Sequence, residues 1–264
     1  MKLLYIGDVM AEMGIKAVEQ ILPNLVKSHA IDFVLAQSEN VSEGKGMTIA
    51  DYDRLRQAGV QAFTGGNHTP TKPDLLPLLE DPNSPVVGPV NMADYPTYIH
   101  KLVQTANGSV LVVSLLGSIV GRHAELATEN PLKKLDEILA TVPRDAYVAA
   151  VVNLHGDFSS EKIVLGHYFD GRVSLVVGDH WHVPTADAQV LPKGTAHITD
   201  VGMCGSLDSS LGVTYESIIP RWRDGYQTRN ELETGGRSQF CAVLADIDEA
   251  TGLARSIEQI RQVW

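Results

Sequence analysis

Cysteine is nearly missing from this chain. Cys204 and Cys241 are the only two in 264 residues, too few and too isolated for a disulfide framework and without the spacing of a thiolate metal site. Their scarcity excludes the small disulfide-stapled class and points to a reducing compartment, the cytoplasm. Long apolar runs are missing as well. No stretch approaches the roughly 20 apolar residues that a bilayer-crossing helix needs. The N-terminal MKLLYIGD is apolar only from Leu3 to Ile6, far short of a signal-peptide core. A protein that does not enter membranes is expected. Basic side chains are the third scarcity: 21 Lys and Arg stand against 32 Asp and Glu, a net charge of −11. That balance disfavours tight nonspecific binding to nucleic acid or anionic membrane. Small anionic substrates stay open, because bound metal ions can invert a local field. Internal repeats, low-complexity tracts and long linkers are absent too.

Apolar residues make up 44% of the chain, ample for a buried sheet. The length lies near the size at which single cores stop growing, so one domain over residues 1–264 is expected. Short apolar runs alternate with helical periodicity through the first two hundred residues. The pattern predicts strands near 2–6, 32–36, 60–63, 110–116, 147–154 and 173–177, and helices near 14–28, 48–58, 72–80, 131–140 and 160–168. Runs such as VLVVSLL and YVAAVVNL are apolar throughout, as expected of strands covered on both faces. Past residue 187 the pattern changes to strand pairs, around 188–191, 195–201, 238–248 and 253–261, with a polar stretch at 224–237. These later strands are expected to form a second, more antiparallel sheet packed on the first. The Pro- and Asn-rich segment 81–98 reads as an ordered loop.

Polar residues sit where the apolar runs stop. Asp8 follows Leu3 to Ile6, Glu39-Asn40 follows Phe33 to Ala36, His155 follows Ala149 to Leu154, and His180-Trp181-His182 follows Leu175 to Val177. Gly65-Gly66-Asn67-His68 adds a further cluster. Carboxylate, amide oxygen and neutral imidazole are the ligands of Mn, Fe, Zn and similar ions, and two such ions about 3.5–4 Å apart can share a carboxylate. In an extended segment the i, i+2 spacing of His180 and His182 would put both rings on one side. Taken singly, each group has an ordinary reading. Asp8 could cap the helix that follows, Glu39-Asn40 could be a solvated loop pair, His155 a buried histidine with its hydrogen bonds met, and His68 a turn residue. An isolated His-x-His is more often a surface or core pair than a ligand pair. Four strand-end anchors together favour the metal site. His29, His100, His123 and His197 have no motif around them and read as surface or structural, and His167, on the helix expected over 160–168 but with no evident partner, gets the same reading. Gly44-Lys45-Gly46 and Gly65-Gly66 permit close backbone approach or positive φ, and Ser159-Ser160 reads as a helix start, either a simple cap or a phosphate-facing one.

The segments GDVMAEMG (7–14), AQSENVSEGKG (36–46), TGGNH (64–68), SSEKIVLGHYFDGRVSLVVGDHWHVPTAD (159–187) and LPKGTAHITDVGM (191–203) resemble the calcineurin-like metallophosphoesterases, specifically their YmdB-like bacterial branch. The resemblance spans nearly the whole chain. It implies an α/β fold, a four-layer αββα sandwich with mixed sheets, and a binuclear phosphodiesterase acting on 2′,3′-cyclic nucleotides or similar small phosphodiesters. It further implies that Asp8 and His182 hold one divalent ion, that Asn67, His155 and His180 hold the other, and that Glu39 bridges them. Asn40 would be a further oxygen at or beside the ions. His68 would stay off the metals and protonate the departing oxygen while a metal-held hydroxide attacks phosphorus. Fe or Mn is the expected pair, with Zn an alternative, since the donor set contains no thiolate.

Several neighbours of this set depart from the family pattern. Relatives continue GNH with Thr-Trp-Asp, whereas Thr69-Pro70-Thr71 stands here; relatives read Asp-x-His-Ala-Glu where this chain has Asn153-Leu154-His155-Gly156-Asp157; and Trp181 replaces a smaller residue. Changes around metal ligands typically alter affinity or activity about 10–100-fold. A phosphomonoesterase acting on a small metabolite, or a metal-binding regulator of RNA turnover with little catalysis, are the alternatives. Many cytosolic enzymes of this size are symmetric assemblies, and a homo-oligomer is expected.

Overall fold

The computed structural model describes residues 1–121 and 124–264, so His123 lies outside the described residues. The chain runs β1 (Lys2–Ile6), β2 (Asp8–Val9), α1 (Ala11–His29), β3 (Phe33–Gln37), α2 (Ile49–Ala58), β4 (Ala62–Thr64), α3 (Leu76–Glu80) and β5 (Val86–Val87). It continues β6 (Lys101–Thr105), β7 (Gly108–Leu116), α4 (Pro131–Thr141), β8 (Ala149–His155), α5 (Ser159–Tyr168), β9 (Leu175–Asp179), β10 (Gln189–Val190) and β11 (Ala196–Ile198). It ends with β12 (Met203–Ser206), α6 (Tyr215–Asp224), β13 (Ser238–Asp248) and β14 (Leu253–Val263).

Two sheets result. The first has the order β2-β12-β13-β1-β3-β4-β5, with β14 paired to β13, and the second has the order β10-β11-β9-β8-β7-β6. Alternation along the strands divides their side chains between layers. Leu3 and Tyr5 of β1 meet Val110 and Val112 of β7 and Ala149 and Val151 of β8 in a core between the sheets. Leu4 and Ile6 face the other way, onto Ile15, Val18 and Leu22 of α1 and Leu55 of α2. On the far side, Ala150, Val152 and Leu154 of β8 pack against Leu135 and Ile138 of α4 and Leu165 of α5. The four layers are therefore helix, sheet, sheet, helix, as the resemblance implied. The strands β7, β8 and β9 are parallel and buried, which is why their sequences are apolar without alternation.

The segments after residue 187 do not make a sheet of their own. The pairs β10/β11 and β13/β14 are antiparallel, as expected, but β10 and β11 extend the second sheet while β12, β13 and β14 complete the first. Strand β13 has one edge along β14 and gives the other to β1, then to β12. A long hairpin offers a backbone ladder to any strand in reach, and the apolar run of β1 takes it. The helix expected over 72–80 is broken: Pro70, Pro73 and Pro77 lack the N–H that an α-turn needs, so only Leu76–Glu80 is α-helical, after two short 3-10 turns. The segment 81–98, read as a loop, contains β5, which pairs in parallel with β4.

Candidate metal centre

Strands β1, β3 and β4 run parallel in one sheet, and β8 and β9 run parallel in the other. Their carboxyl ends open toward each other, the place where the backbone leaves a sheet and side chains are free to converge. Asp8 begins β2 just beyond β1 and is fully buried. It does not cap α1, whose N-cap is Met10. Glu39 and Asn40 follow β3 and are buried rather than solvated. Asn67 and His68 follow β4, His155 closes β8, and His180 and His182 follow β9.

These side chains meet. His182 Nε2 is 3.1 Å from Asp8 Oδ2. His155 Nε2 is 3.2 Å from Glu39 Oε1 and 2.9 Å from Asn67 Oδ1. Ligand atoms of Glu39, His155 and His180 lie within 4.8 Å of one another. Asn40 stands in the middle: its Nδ2 donates to Asp8 Oδ2 at 3.0 Å and Glu39 Oε1 at 3.0 Å, and its Oδ1 is turned to His68 Nδ1 at 2.9 Å. The backbone N–H of His68 donates to Glu39 Oε2 at 3.0 Å. The histidine segment is not the extended one expected, since His180 has φ 108° and His182 has φ 61°. Both lie in the left-handed region that residues with a Cβ avoid and that clusters at functional sites. The turn sends His180 toward Glu39 and His155, and His182 toward Asp8.

Hydrogen bonding on the far side of two rings tells which nitrogen faces the cluster. His155 Nδ1 is 2.6 Å from Asp179 Oδ1, and His182 Nδ1 is 3.1 Å from the carbonyl of Leu211. A carboxylate and a carbonyl only accept, so each Nδ1 carries its proton and each Nε2 is aimed inward, that of His155 at Glu39 and Asn67 and that of His182 at Asp8 and the Asn40 amide. Burial lowers His155, but Glu39 and Asp179 outweigh it and hold the imidazole well above its usual range. Burial, then the neighbouring His155, pushes His180 down to about 4, which keeps it neutral. Carboxylate, amide and imidazole groups that converge in the interior, with ring nitrogens aimed inward, are a donor set that fits divalent cations. Gly66 makes room for it: a Cβ there would overlap Glu39 Oε2 and the His155 ring.

Some residues of the site were not foreseen. Asp179 ends an all-apolar strand and precedes His180, a position that reads as a turn. Lys162, fully buried on α5, donates to the Asp179 carbonyl at 2.7 Å and to Asp200 Oδ2 at 3.1 Å, and its ammonium lies 4.3 Å from the Trp181 ring centroid. Trp181 is pinned further by its indole N–H, which donates to the carbonyl of Asp157 at 3.0 Å. Asn153 donates to Asp179 and accepts from Ser114, and Asp157 Oδ1 is 3.4 Å from His180 Nε2. Ser159 and Ser160 do not cap α5, whose N-cap is Phe158, and Glu161 in its first turn accepts from the amide of Ser118.

Comparison with known proteins follows the same lines as the site. The family model for YmdB-like proteins matches residues 4–260. The chain belongs to the YmdB-like family. It is 38% identical over 262 residues to the 2′,3′-cyclic-nucleotide 2′-phosphodiesterase of Bacillus subtilis (strain 168), covering 98% of this chain and 96% of that protein. A crystal structure of a novel phosphatase from Mycoplasma pneumoniae superposes with a TM-score of 0.91 at 30% identity, covering 100% of this chain and 93% of that one. The 5′-nucleotidase of Candida albicans SC5314 shares the fold alone, with a TM-score of 0.51 at 9% identity over 98% of this chain and 50% of that one. In this YmdB-like chain the two sheets supply the acceptors jointly, and neither sheet alone completes the cluster.

Proposed function

We propose that this protein is a phosphoric ester hydrolase that cleaves 2′,3′-cyclic nucleotides or closely similar small phosphodiesters with two divalent ions. The observation that carries the reading is the convergence of Asp8, Glu39, Asn67, His155, His180 and His182 on one buried cluster at facing strand ends. Similarity to the Bacillus subtilis enzyme along almost the whole chain supports the substrate class.

Asp8 and His182 would hold one ion, Asn67, His155 and His180 the other, with Glu39 between them. Fe or Mn suits the oxygen- and nitrogen-only set, and Zn is the alternative. Bound there, the ions would supply Lewis acidity and a water acidified toward neutral pH. The chain's own part is orientation and proton transfer. His68 lies beside the cluster, and its Nδ1 meets Asn40 Oδ1 at 2.9 Å. If Nδ1 carries the proton of that bond, Asn40 fixes the ring while His68 gives a proton to the leaving oxygen. Asn40, named among the candidate ligands, therefore works through its amide hydrogen bonds as well. Trp181 and Lys162 wall the histidine turn and keep the rings in place.

Among the described residues no helix is long and apolar enough to cross a membrane, and we place the protein in the cytoplasm. Tyr215, Ile219 and Trp222 lie exposed on α6, apolar surface on which copies could assemble into the homo-oligomer we expect. The test is product analysis. Purified metal-loaded protein given 2′,3′-cyclic AMP should yield a nucleoside monophosphate faster than it dephosphorylates that product. Preferential release of inorganic phosphate from monoesters would replace this reading with a phosphomonoesterase.

A further inference from the structure

Asp179 receives more side-chain hydrogen bonds than the residues flanking it, and they come from both sheets. His155 Nδ1 donates to its Oδ1 at 2.6 Å. Its Oδ2 accepts from Gln37 Nε2 at 2.9 Å, Tyr5 Oη at 3.1 Å and Asn153 Nδ2. Tyr5 and Gln37 stand on β1 and β3 of the first sheet; Asn153, His155 and Asp179 stand on β8 and β9 of the second. All five are fully buried. Each donor is tied in turn: Tyr5 Oη to Thr64 Oγ1 at 2.6 Å, the Gln37 Oε1 to the amide of Ser38 at 2.7 Å, and Asn153 Oδ1 to Ser114 Oγ at 3.0 Å. The Asp179 carboxylate therefore has one orientation, and one of its oxygens is left for His155 alone.

We propose that Asp179 is a positioning residue of the metal centre. It locks the His155 ring with the proton on Nδ1 and Nε2 aimed at Glu39 and Asn67, and it does so across the interface between the sheets. The proposal rests on reading this cluster as a metal site. A histidine ligand whose outer nitrogen bonds a carboxylate is both oriented and made more basic. In this chain that carboxylate stands on β9, beside an Asn153 that can only support it. Aiming Nε2 correctly matters because Glu39, the proposed bridge, lies 3.2 Å from it, so a rotated ring would withdraw a ligand and crowd the shared carboxylate together.

Asp179→Asn isolates the effect with little change in volume. Three donors on Oδ2 outnumber the one on Oδ1, so the amide oxygen should turn to Tyr5, Gln37 and Asn153 and its NH₂ should face His155 Nδ1. The ring is then driven to carry its proton on Nε2, where the metal should bind. The experiment measures Zn(II) affinity by competition with a chelator dye, and the nitrogen and proton resonances of His155 in histidine-labelled, Zn-loaded protein. Wild type should show a downfield, hydrogen-bonded Nδ1 proton. The variant should lose it and bind Zn(II) about 10–100-fold more weakly while keeping wild-type circular dichroism. Unchanged affinity and an unchanged His155 signature in the variant would overturn the proposal while leaving the metal centre standing. A wild-type protein that takes up no Zn(II) or Mn(II) would instead overturn the metal-centre reading itself. Should the variant fail to fold, the wild-type spectrum still decides: a His155 Nδ1 without a bonded proton would overturn the proposal.

Discussion

Gly66 matters to the site through the side chain it lacks. Its Cα faces Glu39 Oε2 and the His155 ring so closely that a methyl group would displace one of them. Gly66→Ala should therefore lower metal affinity well beyond tenfold while the protein remains folded, as read by metal content after dialysis and by circular dichroism. Normal metal content in that variant would mean the cluster is looser than described. As the proposed proton donor, His68 bears on a different property. Removing a general acid typically costs about 10²–10⁴-fold in rate, so His68→Ala should lose activity on that scale and keep its metal. Most of the side chains that converge here were legible in the sequence because they follow the end of an apolar run, and carboxylates or histidines at such a position have little reason to be there as core. Asp179 escaped notice although it too closes an apolar strand. It stands directly against His180, and its partners Tyr5, Gln37 and Asn153 come from other strands with no spacing to betray them.

At the scale of elements, α5 is fastened to the histidine turn by Lys162, whose ammonium meets Asp200 in the interior. Burial pushes Asp200 up to about 6, against the pull of Lys162. A carboxyl raised above its unfolded value stabilises the fold fully below that value, and the contribution fades as pH rises through the folded one. Lys162→Met leaves that carboxylate without its cation, so the variant should lose about 3–5 kcal/mol of stability near pH 8. The loss should be smaller at pH 5, where Asp200 takes up a proton instead. Urea titrations at the two pH values would show it, and equal losses at both would remove Asp200 as the cause. Long elements with clear periodicity, α1, β7, β8 and β13 among them, were legible in the sequence. Two short edge strands were not: β2 and β5 have two residues each, and tertiary pairing rather than propensity makes them strands. Helix α6 was hidden by its internal Pro220 and by an outer face that is itself apolar.

For the whole molecule, the sequence showed the layers but not how the late strands are shared between them. Sheet membership depends on which edge a hairpin reaches, and β13 reaches β1 across more than two hundred residues of chain. We therefore propose one domain over residues 1–264. A fragment ending at residue 187 would leave β1 without β13 and expose the core between the sheets. It should be insoluble or unfold without cooperativity; a soluble fragment with a sharp thermal transition would show that the chain divides. The central claim, that facing strand ends build a metal-dependent phosphodiesterase, is tested most directly by hydrolysis of bis-p-nitrophenyl phosphate after chelation and again after Mn(II) is restored, with His68→Ala alongside. The account predicts activity that vanishes on chelation, returns with Mn(II) and stays low in the variant. No turnover by metal-loaded wild-type protein would contradict it.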